Sequence, residues 1–271
     1  MADPDVRRRI VYQVAGMEAA AARRDLVYRR DGNEQLLMDV YPPTRLARDA
    51  RAPALLFVHG GPVSAEMQPP KDWGVFVSYA QLAATSGLVG VTFNHRLHSP
   101  ADYARSQAEV AAAIEYVRSH ADELQVDPQR IGLWVFSGGG PLLSSALREP
   151  PPYLCCVVAF YALLDLRHLA PPDADAETLA RVQELSPAVQ VSEKLAGLPM
   201  FIARAGLDSE MINRSVDQFV QDAVAANALL DFANHPQGQH AFDVRNDDAR
   251  SREIIARAVA FVRTHLRVAP S

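Results

Sequence analysis

Short apolar runs alternate with longer segments of helical period along most of the chain. Residues 54–58, 89–93, 131–136, 154–161, 200–203 and 228–232 are each four to eight residues long and strongly apolar. That length, with Pro, Gly or Asp near their ends, predicts strands buried on both faces. Between them, residues 76–86, 101–120, 141–147, 215–226 and 251–266 carry helical patterns. In the second of these, Val110, Ile114 and Val117 mark the buried stripe. Upstream, residues 25–30 and 35–41 flank Asp31-Gly32-Asn33, which predicts a hairpin because Gly and Asn tolerate the left-handed positions of tight turns.

This alternation predicts an α/β fold with a mostly parallel central sheet, helices on both faces and an antiparallel N-terminal hairpin at one edge. No repeat or low-complexity linker divides the chain, so residues 1–271 read as one domain. An arm of about 18 residues precedes the hairpin: Val6, Ile10, Val14 and Met17 have near-helical spacing, while 10–12 could start a strand. A polar, Pro-rich segment at 164–196 interrupts the strand series and is expected to form a short lid.

Composition narrows the classes. Apolar residues make up 49% and charged residues 22% of 271, which excludes a disordered tail, a collagen-like chain and a coiled coil. A formal charge of −5 and an isoelectric point near 5.9 argue against nucleic acid as a partner, and Arg7-Arg8-Arg9 is too short to reverse that. No apolar run approaches ~18 residues, so no membrane span is expected. The N-terminus lacks the apolar core of a secretory signal, and the adjacent Cys155 and Cys156 read as reduced thiols. The expected location is cytoplasmic.

Chemistry in an open parallel sheet gathers beyond the C-terminal ends of the strands. His59-Gly60-Gly61-Pro62 follows the first buried strand. Its glycines allow a sharp turn with N–H groups aimed at a negative oxygen, whereas Pro62 has no N–H to offer. Ser137-Gly138-Gly139-Gly140 follows the third buried strand and opens a helix. A serine there is lifted above the sheet, and the Gly138 N–H lies where a helix start favours an anion. In the usual Gly-x-Ser-x-Gly pattern the first glycine would stand at Val135, so only the second half holds. Asp208 follows the strand at 200–203, and His240 lies on the loop after the strand at 228–232. His235 is a rival base, but it is pinned before Pro236, whereas flexible Gly238 precedes His240. Asp165 is a rival acid. The order Ser137, Asp208, His240, with spacings of 71 and 32 residues, is that of nucleophile, acid and base.

These motifs resemble the α/β-hydrolase superfamily, within it the small bacterial esterases of the carboxylesterase and hormone-sensitive-lipase-like branch. The likeness runs from residue 38 to the last helix, carried by HGGP at 59–62, GLWVFSGGG at 132–140, ARAGLD at 203–208 and GQHAF at 238–242. It implies an α/β-hydrolase fold and a catalytic triad of Ser137, Asp208 and His240. It also implies an oxyanion hole from Gly61 and Gly138, with Gly60 a third contributor. Pro62 stands where the lipases carry another glycine, and Val135 where little room is usual. Arg96, in a run resembling the family's Tyr-Arg-Leu segment, is expected to be structural.

The expected reaction is hydrolysis of small-molecule carboxylic esters of short acyl chains through an acyl-enzyme. Amide, formamide or lactone hydrolysis by the same triad, and a catalytically weak ligand-binding relative, are the alternatives. No cofactor and no metal are expected, since neither Cys nor His shows ligand spacing. Met67, Trp73 and Tyr161 are the candidate substrate-binding side chains. His95 and His98 read as solvated loop histidines. Oligomeric state stays open, with a homodimer among the expectations.

Overall fold

The computed structural model of the chain describes residues 4–47, 49–191 and 197–268. These form an eight-stranded sheet in the order β1-β2-β4-β3-β5-β6-β7-β8. The strands are β1 (Arg23–Asp31), β2 (Glu34–Tyr41), β3 (Ala52–Val58), β4 (Val89–Phe93), β5 (Val126–Phe136), β6 (Leu154–Phe160), β7 (Met200–Ala205) and β8 (Leu230–His235). β1 and β2 pair antiparallel around the Gly32-Asn33 turn, and β2 joins β4 antiparallel. Every pairing from β4 through β8 is parallel. The mostly parallel sheet and its antiparallel edge hairpin are therefore as expected.

The helices are α1 (Gly74–Thr85), α2 (Tyr103–Ser119), α3 (Ala121–Leu124), α4 (Ser144–Arg148), α5 (Ala176–Glu184), α6 (Pro187–Gln190), α7 (Glu210–Ala225), α8 (Phe242–Arg245) and α9 (Ala249–His265). Alternation along β5 divides the core into two layers. Leu133 and Val135 face a layer holding Val110, Ile114 and Val117 of α2 with Val216 and Phe219 of α7. Trp134 and Phe136 face the other, with Tyr79 of α1 and Ile254, Ala258 and Val262 of α9. Val135 is fully buried in the first layer, so the position that departs from the usual elbow pattern is filled by core packing. The N-terminal arm joins the second layer through Ile10 and Met17, both buried.

Three expectations shift. The segment after Ser137 is a 3₁₀ helix over Ser137–Leu143 that passes into the short α4, because three glycines and Pro141 oppose an α-helix there. β8 runs on to His235, pairing residue by residue with β7 as far as Ala205. His235 is therefore a strand residue. α7 begins at Glu210, well before 215, because the Ser209 side chain caps it by accepting from the Ile212 N–H.

Within the described part of 164–196, α5 and α6 form a short arm tied to its neighbours. Arg148 of α4 donates to Gln190 Oε1 and to the Glu184 carbonyl. Arg167 bridges Asp165 and Asp222 of α7. The lid expectation extends to 192–196, which lie outside the described residues.

The edge hairpin is fastened by charge. Arg96 reaches Asp31 and Glu34 on the hairpin, and its Nε donates to Glu109 of α2 at 2.6 Å. Glu109 is fully buried, so its carboxylate depends on that guanidinium. Arg96→Ala should therefore cost about 3 kcal/mol of stability, in the range for breaking a buried pair. Urea unfolding measures it, and a loss below about 0.5 kcal/mol, the scale of a surface pair, would show the cluster to be decorative.

Candidate active site

Chain order reverses direction across the sheet at β3: β4 lies on one side of it and β5 on the other. Such a switch point leaves a crevice beyond the strand ends, and here the ends are the His59-Gly60-Gly61 turn and Ser137. The backbone at Ser137 has φ of 50°, a left-handed conformation uncommon for a residue with a side chain. It turns sharply from β5 into the 3₁₀ helix, and its carbonyl accepts the Leu163 N–H at 2.9 Å. The neighbouring loops crowd in so tightly that a Cβ on Gly138 would lie 2.0 Å from the Gly61 carbonyl oxygen. Only glycine lets the two turns meet.

Ser137 Oγ lies 2.9 Å from His240 Nε2, and His240 Nδ1 lies 2.6 Å from Asp208 Oδ2. A carboxylate accepts only, so Nδ1 carries the proton and Nε2 is left to accept from the serine hydroxyl. Asp208 Oδ1 is held in turn by the Ser209 N–H at 2.7 Å. The loops carrying Asp208 and His240 are joined by main-chain bonds, Gly206 N–H to the His235 carbonyl and Leu207 N–H to the Gly238 carbonyl. The Asp208 side chain is 4% exposed and that of His240 35%, so the carboxyl is sealed while the imidazole borders solvent.

The two rivals are engaged elsewhere. Asp165 is buried and paired with Arg167. His235 is buried, with Nε2 near Asp248 Oδ1 and Ser251 Oγ. Arg96 stands in the hairpin clasp, in keeping with a structural part.

The glycine turn lies against Ser137: a Cβ on Gly60 would lie 2.8 Å from Ser137 Cβ and 3.4 Å from the Gly138 nitrogen, and one on Gly138 would lie 3.2 Å from the Gly61 nitrogen. N–H groups held beside a serine hydroxyl can receive a developing oxyanion. The glycine turn rests on a feature missed in the sequence. His95, expected in solvent, is 3% exposed and stacks on His59 with ring centroids 3.5 Å apart and planes 2° from parallel. His59 Nδ1 lies 2.6 Å from the Gly60 carbonyl, and His59 Nε2 accepts the His95 N–H. Only the pairing of β3 beside β4 brings residues 36 apart into a stack. His98, by contrast, is exposed as expected.

The substrate-binding candidates differ in placement. Met67 and Trp73 are half-buried on the loop beyond the glycine turn. The Trp73 indole N–H donates to the Gln68 carbonyl and its ring stacks on Phe76. Tyr161 is 4% exposed, its ring beside His240 and its hydroxyl turned inward. No group of His, Cys, Asp and Glu able to hold a metal occurs among the described residues. No described helix is long and apolar enough to cross a membrane.

Solved structures with this architecture were found among esterases. Propionate-bound esterase Est2 of Thermogutta terrifontis superposes with a TM-score of 0.76 at 22% identity, covering 94% of this chain and 97% of that one. The same esterase phosphorylated by paraoxon matches with a TM-score of 0.74 at 20% identity, with coverage of 94% and 97%. The fold is that of the α/β-hydrolases. The BD-FAE family model matches residues 38–147, a span holding the glycine turn and Ser137. Carboxylesterase 3B of Mus musculus is 22% identical over 120 residues, 42% of this chain and 21% of that protein. Gut esterase 1 of Caenorhabditis elegans is 24% identical over 128 residues, 44% of this chain and 22% of that protein. The matched stretch thus spans about a fifth of the length of these curated relatives.

The stacked imidazoles predict a pH effect. Burial depresses both, His59 to about 4 and His95 well below its usual value. A buried neutral histidine stabilises the fold above its unfolded pKa of about 6.5, and that contribution is lost as pH falls toward the folded value. The excess stability of the wild type over His59→Asn should be largest above pH 6.5 and shrink by up to ~3 kcal/mol near pH 4. Chemical denaturation across that range measures it; a pH-independent difference would show that His59 is not held neutral.

Proposed function

We propose that this α/β-hydrolase is a serine esterase acting on carboxylic esters of short acyl chains. The observation that carries the reading is the unbroken chain from Ser137 Oγ to His240 to Asp208, at 2.9 and 2.6 Å. His240 Nε2 takes the hydroxyl proton as Ser137 Oγ attacks the ester carbonyl carbon. Asp208 keeps the imidazole in the required tautomer and stabilises the imidazolium as it forms. Negative charge develops on the carbonyl oxygen against the N–H groups of Gly61 and Gly138, with Gly60 beside them. Each such donor is typically worth ~10²–10³ in rate. The imidazolium then protonates the leaving alcohol. Water activated by His240 attacks the acyl-enzyme and releases the acid.

Two further observations support this reading. The similar Thermogutta esterase is described with propionate and with butyrate bound, which favours short acyl groups here too. The same esterase is described as phosphorylated by paraoxon, the behaviour expected of an activated serine. No step requires a cofactor or a metal.

Ser137→Ala should lower the turnover of p-nitrophenyl acetate on the order of 10⁴-fold or more while the circular dichroism spectrum is kept. Paraoxon should add a single diethylphosphoryl group to the peptide containing Ser137, read by mass spectrometry. An unchanged rate in the variant, or label on another residue, would refute the assignment.

A further inference from the structure

The hydrogen-bonded chain of Ser137, His240 and Asp208 leaves a second carboxyl group near the imidazole without a part. Asp243 lies three residues beyond His240, on α8, and is fully buried. Its two oxygens accept the hydroxyls of Tyr79 and Tyr161, each at 2.8 Å. Burial pushes its carboxyl up to about 6, opposed by the two hydroxyl donors and by nearby His240. Its own carbonyl accepts the Val11 N–H, which ties the N-terminal arm to α8. Placing a carboxyl in an apolar layer is unfavourable unless its acceptors are used.

Of the two tyrosines, only Tyr161 touches the imidazole. Its ring meets His240 edge to face, with centroids 4.9 Å apart at 61°. Tyr79 packs instead among Phe57, Trp134 and Phe136. The backbone at Tyr161 is left-handed, with φ of 39°, a rare state for a bulky residue. The same holds for Ser137 and for Ala241, the residue after His240, with φ of 50° and 61°. Three strained residues therefore surround one imidazole, and strain of this kind persists only where surrounding contacts over-determine it. For Tyr161 those contacts are the Asp243 carboxyl and the Ala203 carbonyl, which accepts its N–H at 2.8 Å.

We propose that Asp243 and Tyr161 form a positioning clamp for His240. The buried carboxyl holds the Tyr161 hydroxyl, and the Tyr161 ring fixes the rotation of the imidazole between Ser137 and Asp208. Asp243 is fully buried and the Tyr161 hydroxyl is turned inward onto it, so both act through His240. The proposal rests on the esterase reading for its kinetic arm and on geometry alone for its spectroscopic arm.

The test compares Tyr161→Phe, Asp243→Asn and the double variant with Tyr79→Phe. The last removes the same kind of bond to the same carboxyl without touching His240. With p-nitrophenyl acetate, Tyr161→Phe should lower kcat about 5- to 20-fold with KM within twofold. The double variant should lose no more than the worse single, because the two residues work as a unit. Tyr79→Phe should change kcat less than twofold while lowering Tm comparably. Equal kcat losses in Tyr79→Phe and Tyr161→Phe, additive losses in the double variant, or unchanged kcat in Tyr161→Phe would overturn the clamp. The second arm needs no turnover. In the Ser137→Ala chain, nitrogen and proton resonances of the His240 ring should shift and broaden on Tyr161→Phe and stay in place on Tyr79→Phe. Unmoved His240 signals in Tyr161→Phe would overturn the clamp. Absence of ester turnover and of a Ser137 adduct in the wild type would instead sink the esterase reading, leaving the clamp to be decided by the resonances.

Discussion

The left-handed turn at Ser137 is the constraint on which the rest of the structure depends. A serine at φ of 50° sits in a sparsely populated conformation, and nothing local favours it. It is held from three sides. β5 is clamped between β3 and β6, Leu163 binds the Ser137 carbonyl, and the Gly61 carbonyl presses against Gly138. The glycine turn cannot move outward freely either, because Leu97 packs against Gly61 and the Leu97 carbonyl accepts the Val63 N–H. In the proposed mechanism such rigidity would hold N–H donors in place before charge develops, as preorganised dipoles do.

Polar groups buried around this turn play different parts according to what they face. The His59–His95 stack is kept neutral by burial and supports the glycine turn from beneath. Asp208 accepts from both the His240 imidazole and the Ser209 N–H, so its charge has partners in place. Further out, Lys71 is buried with Asp25, Asp39 and Asp72 around its ammonium group. Those carboxylates hold its proton more firmly than in water, and the cluster ties the edge hairpin to the loop beyond the glycine turn. The same chemistry thus serves as scaffold at the sheet edge and as candidate machinery at the switch point.

Much of this was legible along the chain. The strands were visible because parallel strands buried on both faces leave unbroken apolar runs, and β3, β4 and β6 begin and end within two residues of expectation. Ser137 and the glycine turn were visible because sharp turns after strands demand particular residue types. Boundaries failed where tertiary contacts outweighed local preference. β8 extends through Asn234 and His235 only because β7 offers a partner, and the glycines with Pro141 turn an expected α-helix into a 3₁₀ helix. His95, expected in solvent, lies in a stack, because an imidazole beyond a strand has the same sequence signature in either setting.

The sequence by itself determined the order of elements, the candidate nucleophile and the short set of candidate acids and bases beside it. It did so because hydrophobic period and turn chemistry are local properties. Tertiary structure alone placed His240, preferred in the sequence, between Ser137 and Asp208 and engaged His235 and Asp165 elsewhere. Those placements depend on which side chains converge across strands far apart in the chain. It alone also revealed the imidazole stack and the Asp243–Tyr161 contact, since a buried polar group is defined by its partners in space and leaves no periodic trace along the polypeptide.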